Sequence, residues 1–137
     1  MSQENVEIVR RVYDAVAHGR ADTVLGFYES DIEWDVSRSP YRALVGRDTY
    51  RGHDGLRRFF RDYREPWAAI EDECDELIDA GERVISVVSS RARGKASGAD
   101  VEATYQAGLW TLRRGKIIHV AWFSTRGEAL EAAGLSE

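Results

Sequence analysis

One charged, glycine-containing stretch near the middle of the chain has the sequence Tyr50-Arg51-Gly52-His53-Asp54-Gly55-Leu56-Arg57-Arg58-Phe59-Phe60. Its second half begins an amphipathic helix, because Leu56, Phe59, Phe60 and Tyr63 recur at i, i+3, i+4 and i+7. Pro66 ends this helix, which we predict over residues 54–65. Arginines and acids at i, i+4 spacing indicate that the opposite helix face is solvated.

The chain before this stretch is predicted to be mainly helical. Residues 3–17 carry valines and a tyrosine at helical spacing, and a second short helix begins at Asp22. Residues 31–36 alternate strictly between polar and apolar side chains, so they are predicted to form a strand with Trp34 on its apolar face. The irregular segment that follows, residues 37–53, is of the kind that often borders functional sites.

The chain after Pro66 is predicted to form mostly sheet. Residues 83–93, 101–113 and 116–124 are rich in β-branched and aromatic residues, as strands are. Thr125 and Glu128 have the spacing of a capping box, which predicts a closing helix. Helices first and a meandering sheet last indicate the α+β class.

Length and composition exclude several classes of protein. The 137 residues fit one domain, which we assign to residues 1–137. A net charge of −5 argues against binding to nucleic acid or to a membrane surface. A single cysteine, Cys74, excludes an intrachain disulfide and a cysteine-based zinc site. The N-terminus has no signal-peptide pattern, so we expect a cytoplasmic location.

Several short segments have a recognisable order along the chain. They are Arg10-Arg11-Val12-Tyr13, Asp31-Ile32-Glu33-Trp34, the stretch 50–60, Gly115-Lys116-Ile117 and Glu128-Ala129-Leu130-Glu131-Ala132-Ala133-Gly134-Leu135. In this order they resemble the SnoaL-like branch of the nuclear transport factor 2-like superfamily. The resemblance implies a cone-shaped α+β fold, with a curved antiparallel sheet, helices on its concave face and usually a homodimer packed through the sheets. It favours a strand over residues 68–79, where the helical spacing of apolar residues favours a helix.

The resemblance implies an architecture more firmly than a reaction. Members of the family with known activity include polyketide cyclases, ketosteroid isomerases, epoxide hydrolases and dehydratases, and other members only bind or scaffold. Ketosteroid-isomerase-like members place a base aspartate where this chain has Val36, which argues against steroid-isomerase chemistry. Many relatives have aspartate where this chain has Thr125, a helix N-cap position.

The last predicted hairpin supplies the first candidate for catalysis. A two-residue turn at Arg114 and Gly115 fixes its register. In that register one face of the sheet carries Gln106, Trp110, His119 and Phe123. We assign a pocket to this face, with His119 as general base, because a neutral imidazole can accept a proton near pH 7. A core or interface histidine is the alternative.

Five further residues are candidates for the same pocket. Tyr13 lies on the inner stripe of the first helix, where its phenol could polarise a substrate carbonyl or simply pack in the core. Asp35 could serve as base if a bulge turns it inward, and is otherwise a solvated strand residue. Trp34 could line a flat ligand or pack in the core, and Tyr41 and Tyr50 could border the pocket mouth.

Taken together, these residues predict a pocket for a small hydrophobic molecule. The first hypothesis is a cofactor-free isomerase, cyclase or lyase that uses general acid–base chemistry on a carbonyl-type substrate. The alternative is a non-catalytic module that binds a small ligand or acts as a dimeric interaction domain. No metal or cofactor is expected, since His18, His53 and His119 are scattered along the chain.

Overall fold

A computed structural model of the chain describes residues 2–95 and 100–135. In this part of the chain, the helices are α1 (Ser2–Ala17), a 3-10 helix (Ala21–Phe27), α2 (Tyr41–Val45), α3 (Gly52–Arg64) and α4 (Arg126–Ala132). The strands are β1 (Tyr28–Arg38), β2 (Thr49–Arg51), β3 (Trp67–Ala80), β4 (Arg83–Gly94), β5 (Asp100–Arg113) and β6 (Lys116–Phe123). The predicted α+β order is confirmed, and the irregular segment 37–53 contains α2 and β2.

The six strands form one curved sheet with the order β2-β1-β6-β5-β4-β3. Neighbouring strands run antiparallel, as predicted, except for β1 and β6, which pair in parallel. Parallel pairing needs a long connection between the strands, and the segment between β1 and β6 supplies one. Helix α1 packs against β3 and β4, and α3 packs against β1 and β2.

Both faces of the sheet are apolar, and each is covered by helices. The concave face carries Val84, Trp110, Val120 and Trp34, which pack with residues of α1 and α3 in the main core. The convex face carries a smaller cluster, which consists of Ile85, Ala107, Leu109, Phe123, Ala129, Leu130 and Ala133. Helix α4 and its C-cap residue Ala133 supply three members of that cluster, so this helix lies on the convex side.

Strand β3 settles the ambiguity over residues 68–79 in favour of the strand. It pairs with β4 along its whole length, with a register shift between Cys74 and Glu76. Ile70 and Cys74 lie on the same side before the shift, and Leu77 packs into the main core after it. The bulge therefore spaces the inward apolar residues as a helix would, which explains why the local pattern was misleading.

The β5–β6 hairpin begins as predicted and then departs from the expected register. Arg114 and Gly115 both have positive φ, at 53° and 77°, which is the conformation of a tight two-residue turn. Arg113 pairs with Lys116, but a bulge beyond Leu112 places His119 opposite Thr111 rather than Trp110. Since adjacent strand residues point to opposite faces, this one-residue shift reverses the facing of β6 beyond the bulge.

No helix among the described residues has the length and apolar character needed to cross a membrane.

Candidate functional site

A cavity of about 270 Å³ lies between helices α1 and α3 and the concave face of the sheet. Aromatic rings dominate its lining, and those contributed by the sheet are Tyr28, Trp34, Trp110 and Trp122. The helical side contributes Tyr13, Tyr41, Phe59, Phe60 and Tyr63. These rings contact one another mainly edge to face, as Trp34 does with Trp110 at a centroid distance of 6.1 Å. The cavity is therefore shaped to hold a small, flat, mainly apolar molecule.

Charged residues mark the open end of the cavity. Asp14, Arg64, Asp72 and Glu73 line it and are exposed to solvent. Three carboxylates against one guanidinium make the entrance acidic. This charge balance disfavours an anionic ligand.

Asp72 has the most developed polar surroundings in the lining. Its Oδ1 accepts a hydrogen bond from the Tyr63 hydroxyl at 2.9 Å and another from Ser90 Oγ at 2.6 Å. The ring of Tyr41 packs edge to face against the ring of Tyr63, with a centroid distance of 5.1 Å. Burial and the neighbouring Asp72 carboxylate raise the pKa of Tyr63, so its phenol stays protonated and remains a donor at neutral pH.

The strand register explains why Asp72 meets these partners. Asp72 pairs with Ser90 across β3 and β4, and both lie on the concave side. Tyr63 is in the last turn of α3, which packs above this side of the sheet. A carboxylate held by two donors in an aromatic cavity can accept a proton from a bound molecule.

Ser86 is the centre of a second polar cluster, which lies behind the lining residues Tyr13 and Trp110. Its Oγ accepts hydrogen bonds from the Tyr13 hydroxyl at 2.9 Å and from Trp110 Nε1 at 2.8 Å. Burial raises the pKa of Tyr13, and nearby Cys74 adds to the rise, so this phenol is neutral. Because the Tyr13 hydroxyl donates its hydrogen bond to Ser86, it is not positioned to donate one to a substrate carbonyl.

Gly108 lies beside the rings of Trp110 and Trp122. It pairs with Ser86 on one side and with Trp122 on the other. A Cβ at this position would come within 2.9 Å of Trp110 Nε1 and 3.0 Å of Ser86 Oγ. The missing side chain is therefore needed for ring packing and adds no free volume to the cavity.

The structure brings together four of the nine residues predicted for the site. Tyr13, Trp34, Tyr41 and Trp110 line the cavity. The other predicted site residues, which the lining does not include, are Asp35, Tyr50, Gln106, His119 and Phe123.

His119 lies on the convex face, which corrects its predicted place in the pocket. Its Nε2 is 3.2 Å from Glu33 Oε1, and Arg51 binds the other oxygen of Glu33 at 2.9 Å. The cause is the bulge in the last hairpin, which turns His119 away from Trp110. Asp35 also faces outward, paired with Ala121, and accepts a hydrogen bond from the backbone of Ser37. The inward-turning bulge considered for Asp35 is not found.

Three predicted ligand contacts have structural partners elsewhere. The Tyr50 hydroxyl donates to Asp62 at 2.9 Å, and the ring is buried against α3. Gln106 Oε1 accepts a hydrogen bond from Ser39 Oγ at 2.7 Å. Phe123 belongs to the convex cluster because of the same shift in β6 register.

Sequence reasoning missed Asp72, Ser86, Ser90, Tyr63 and Trp122. Ser86 and Ser90 alternate with Val84 and Val88 on the inward side of a β-branched strand. Small hydroxyl residues at inward positions of such a strand are the signal that could have found them, because buried hydroxyls need partners. Within residues 2–95 and 100–135, no three His, Cys, Asp or Glu side chains gather as a metal site.

Comparison with known proteins identifies the family. Residues 9–120 match the model of the SnoaL-like domain, so the chain belongs to this family. No curated protein matches the sequence.

Solved structures with this fold cover nearly the whole chain. An NTF2-like protein of unknown function from Burkholderia pseudomallei is 22% identical, with a TM-score of 0.76, over 93% of this chain and 95% of its own. TerC, co-crystallised with polyporic acid, is 19% identical, with a TM-score of 0.75, over 96% and 98%. A candidate SnoaL-like polyketide cyclase from a Jannaschia species is 18% identical, with a TM-score of 0.73, over 96% and 91%. These similarities establish the nuclear transport factor 2-like fold.

Proposed function

We propose that the cavity binds a small, neutral, mainly apolar carbonyl compound and that Asp72 moves a proton on it. The observation that carries this proposal is the Asp72 carboxylate, held by Tyr63 and Ser90 in the wall of an aromatic cavity. The reaction class is isomerisation, cyclisation or elimination without a cofactor. The family includes proteins described as candidate polyketide cyclases, which supports this class of reaction.

The chemistry follows from the surroundings of Asp72. Its carboxylate removes a proton from the carbon next to the carbonyl, and the electron pair of that C–H bond moves into an enolate. The proton returns from Asp72 to another atom of the same molecule, or a leaving group departs. Tyr63 and Ser90 hold the carboxylate in position, and the ring of Tyr41 packs against that of Tyr63. His119 and Asp35 take no part, since both lie outside the cavity.

Proton exchange on a simple ketone tests this proposal. In D2O, the wild-type protein is expected to accelerate exchange of the acidic C–H protons of 2-tetralone, followed by NMR. Asp72→Asn replaces the base with an isosteric amide, so we expect exchange to fall by roughly 10²–10⁴-fold. Asp35→Asn makes the same change on a carboxylate outside the cavity, and His119→Ala removes the outward imidazole. Both controls should retain wild-type exchange.

Two outcomes would contradict the proposal in different ways. Full exchange activity in Asp72→Asn would exclude Asp72 as the base. Binding of 2-tetralone to the wild type without any exchange would favour the alternative, a module that binds a ligand without converting it. Circular dichroism spectra of each variant establish that the fold is intact.

A homodimer formed through the sheets and a cytoplasmic location stay predictions. Tyr105 supports the first, because its side chain is 58% exposed in a strand position that alternates with inward-facing Gln106. Sedimentation velocity on the wild type and on Tyr105→Glu measures whether this face joins two copies. A wild-type monomer at all concentrations would contradict the dimer.

A further inference from the structure

The cavity adjoins a groove that lies on the surface between α1 and β3. The groove has a volume of about 300 Å³ and is lined by Arg10, Tyr13 and Asp14 of α1 and by residues 74–77 of β3. Tyr13, Asp14 and Cys74 line the cavity as well, so the two spaces meet at these three side chains. A ligand can therefore place an apolar body in the cavity and a polar group at this junction.

Unpaired carboxylates surround the junction. Asp14 lines both spaces, Glu73 lines the cavity and Asp75 lines the groove, and all three residues are exposed to solvent. Within the described chain, none of these three carboxylates forms an ion pair with a basic side chain. The junction therefore carries negative charge that the protein itself does not balance.

The arginines near the opening do not supply the missing charge. Arg10 binds Glu7 at 3.2 Å, and Arg126 binds Glu76 at 3.0 Å. Arg64 is the one basic residue in the described lining of the cavity, and it forms no ion pair with any described residue. A positive charge on a bound molecule would lower the mutual repulsion of the carboxylates, whereas a negative charge would increase it.

The aromatic lining favours an organic cation in this place. Ammonium groups are attracted to aromatic rings, and the half-buried ring of Tyr13 lies at the junction itself. The cation–π contacts of the described residues join Arg38 to Phe123 and Arg47 to Tyr50, which do not line the cavity. The rings of the described lining therefore have no protein cation of this kind against them.

We propose that the cavity and the groove together bind an amphiphilic organic cation, with a ring system in the cavity and an ammonium group at the junction beside Asp14, Glu73 and Asp75. This site goes beyond the proposed function, because the ligand is charged and none of its bonds is made or broken. The ammonium group stays at the exposed end, so its charge is not transferred into the core. The ligand competes with neutral molecules, since its ring occupies the same cavity.

Three ligands that share one ring system and differ in charge test this proposal. They are 2-aminotetralin, a cation at pH 7, neutral 2-tetralol and anionic tetralin-2-carboxylate. In low salt, calorimetric titration of the wild type should show that 2-aminotetralin binds roughly five- to twentyfold more tightly than 2-tetralol. The carboxylate should bind most weakly. About 0.5 M NaCl should reduce the preference for the amine, because salt screens exposed charges.

Variants of the opening locate the ammonium group. Asp14→Asn, Glu73→Gln and Asp75→Asn should each lower the preference for 2-aminotetralin over 2-tetralol by roughly two- to fivefold. Arg64→Gln removes a positive charge from the lining and should raise the preference. Asp35→Asn removes a carboxylate on the convex face and should leave it unchanged. Because both ligands are measured on each variant, a general loss of packing cancels in the ratio.

Several outcomes would overturn the cation site. They are equal affinities of the wild type for the amine and the alcohol in low salt, an unchanged ratio in all three opening variants, or an equal fall of the ratio in Asp35→Asn. Failure of 2-aminotetralin to displace 2-tetralol would also overturn it. None of these measurements involves proton exchange, so loss of the cation site and failure of Asp72 as base are distinguished by separate experiments.

Discussion

Ser86 links two elements of the cavity wall through a single oxygen atom. It is fully buried and accepts hydrogen bonds from Tyr13 on α1 and from Trp110 on β5. Ser86→Ala leaves two buried donors unpaired, so we expect the free energy of unfolding to fall by about 2–4 kcal/mol. Urea denaturation measures this loss. Ser37→Ala, on the exposed face of β1, is the control, and equal stability of the two variants would show that the pair of hydrogen bonds is not needed.

The aromatic part of the candidate site was predictable from the sequence, whereas its acid–base part was not. Tyr13 and Trp34 lie on regular amphipathic elements, whose faces follow from simple periodicity. Asp72 lies in an exposed acidic segment, and its meeting with Ser90 depends on pairing between strands. His119 was assigned to the wrong face because one bulge in the hairpin reverses the facing of every later residue of β6.

Helix α4 is an element whose start could be predicted from neighbouring residues alone. Thr125 accepts a hydrogen bond from the backbone N–H of Glu128 at 3.1 Å, and the Glu128 carboxylate accepts one from the backbone N–H of Thr125 at 3.1 Å. The predicted capping box is confirmed. This element was predictable because its signal lies within four residues, whereas β3 needed partners far away in sequence.

Loss of this cap should loosen α4 from the convex face. Thr125→Ala removes the hydroxyl acceptor, so we expect the free energy of unfolding to fall by about 1 kcal/mol. Thermal denaturation followed by circular dichroism measures the change. Thr125→Ser keeps the hydroxyl and should remain close to wild type, and the same loss in both variants would show that the cap is not the cause.

At the scale of the whole molecule, buried tyrosines make stability depend on alkaline pH. Burial raises the pKa of Tyr13, Tyr28, Tyr41 and Tyr63 above the ordinary value of 10.0, and raises that of Tyr50 to about 12. Below pH 10 these phenols are protonated in the folded and the unfolded chain, so their contribution is fully present. Above pH 10 the unfolded chain releases protons that the folded chain retains, so stability falls as pH rises.

Absorbance of tyrosinate at 295 nm, recorded together with circular dichroism, measures this dependence. We expect the absorbance of the buried tyrosines to increase together with loss of the fold. A tyrosinate titration centred at the ordinary tyrosine pKa of about 10, with the circular dichroism spectrum unchanged, would contradict it.

The parallel pairing of β1 with β6 affects how the chain folds during its synthesis. Trp34 meets its strand partner Val120 only after most of the polypeptide has been made. Because such long-range contacts must close large loops, they form slowly compared with hairpins and helices. As the chain leaves the ribosome, the tryptophan-rich cavity therefore stays incomplete until β6 has been made. Before that point the tryptophan side chains of the nascent polypeptide are accessible to chaperones.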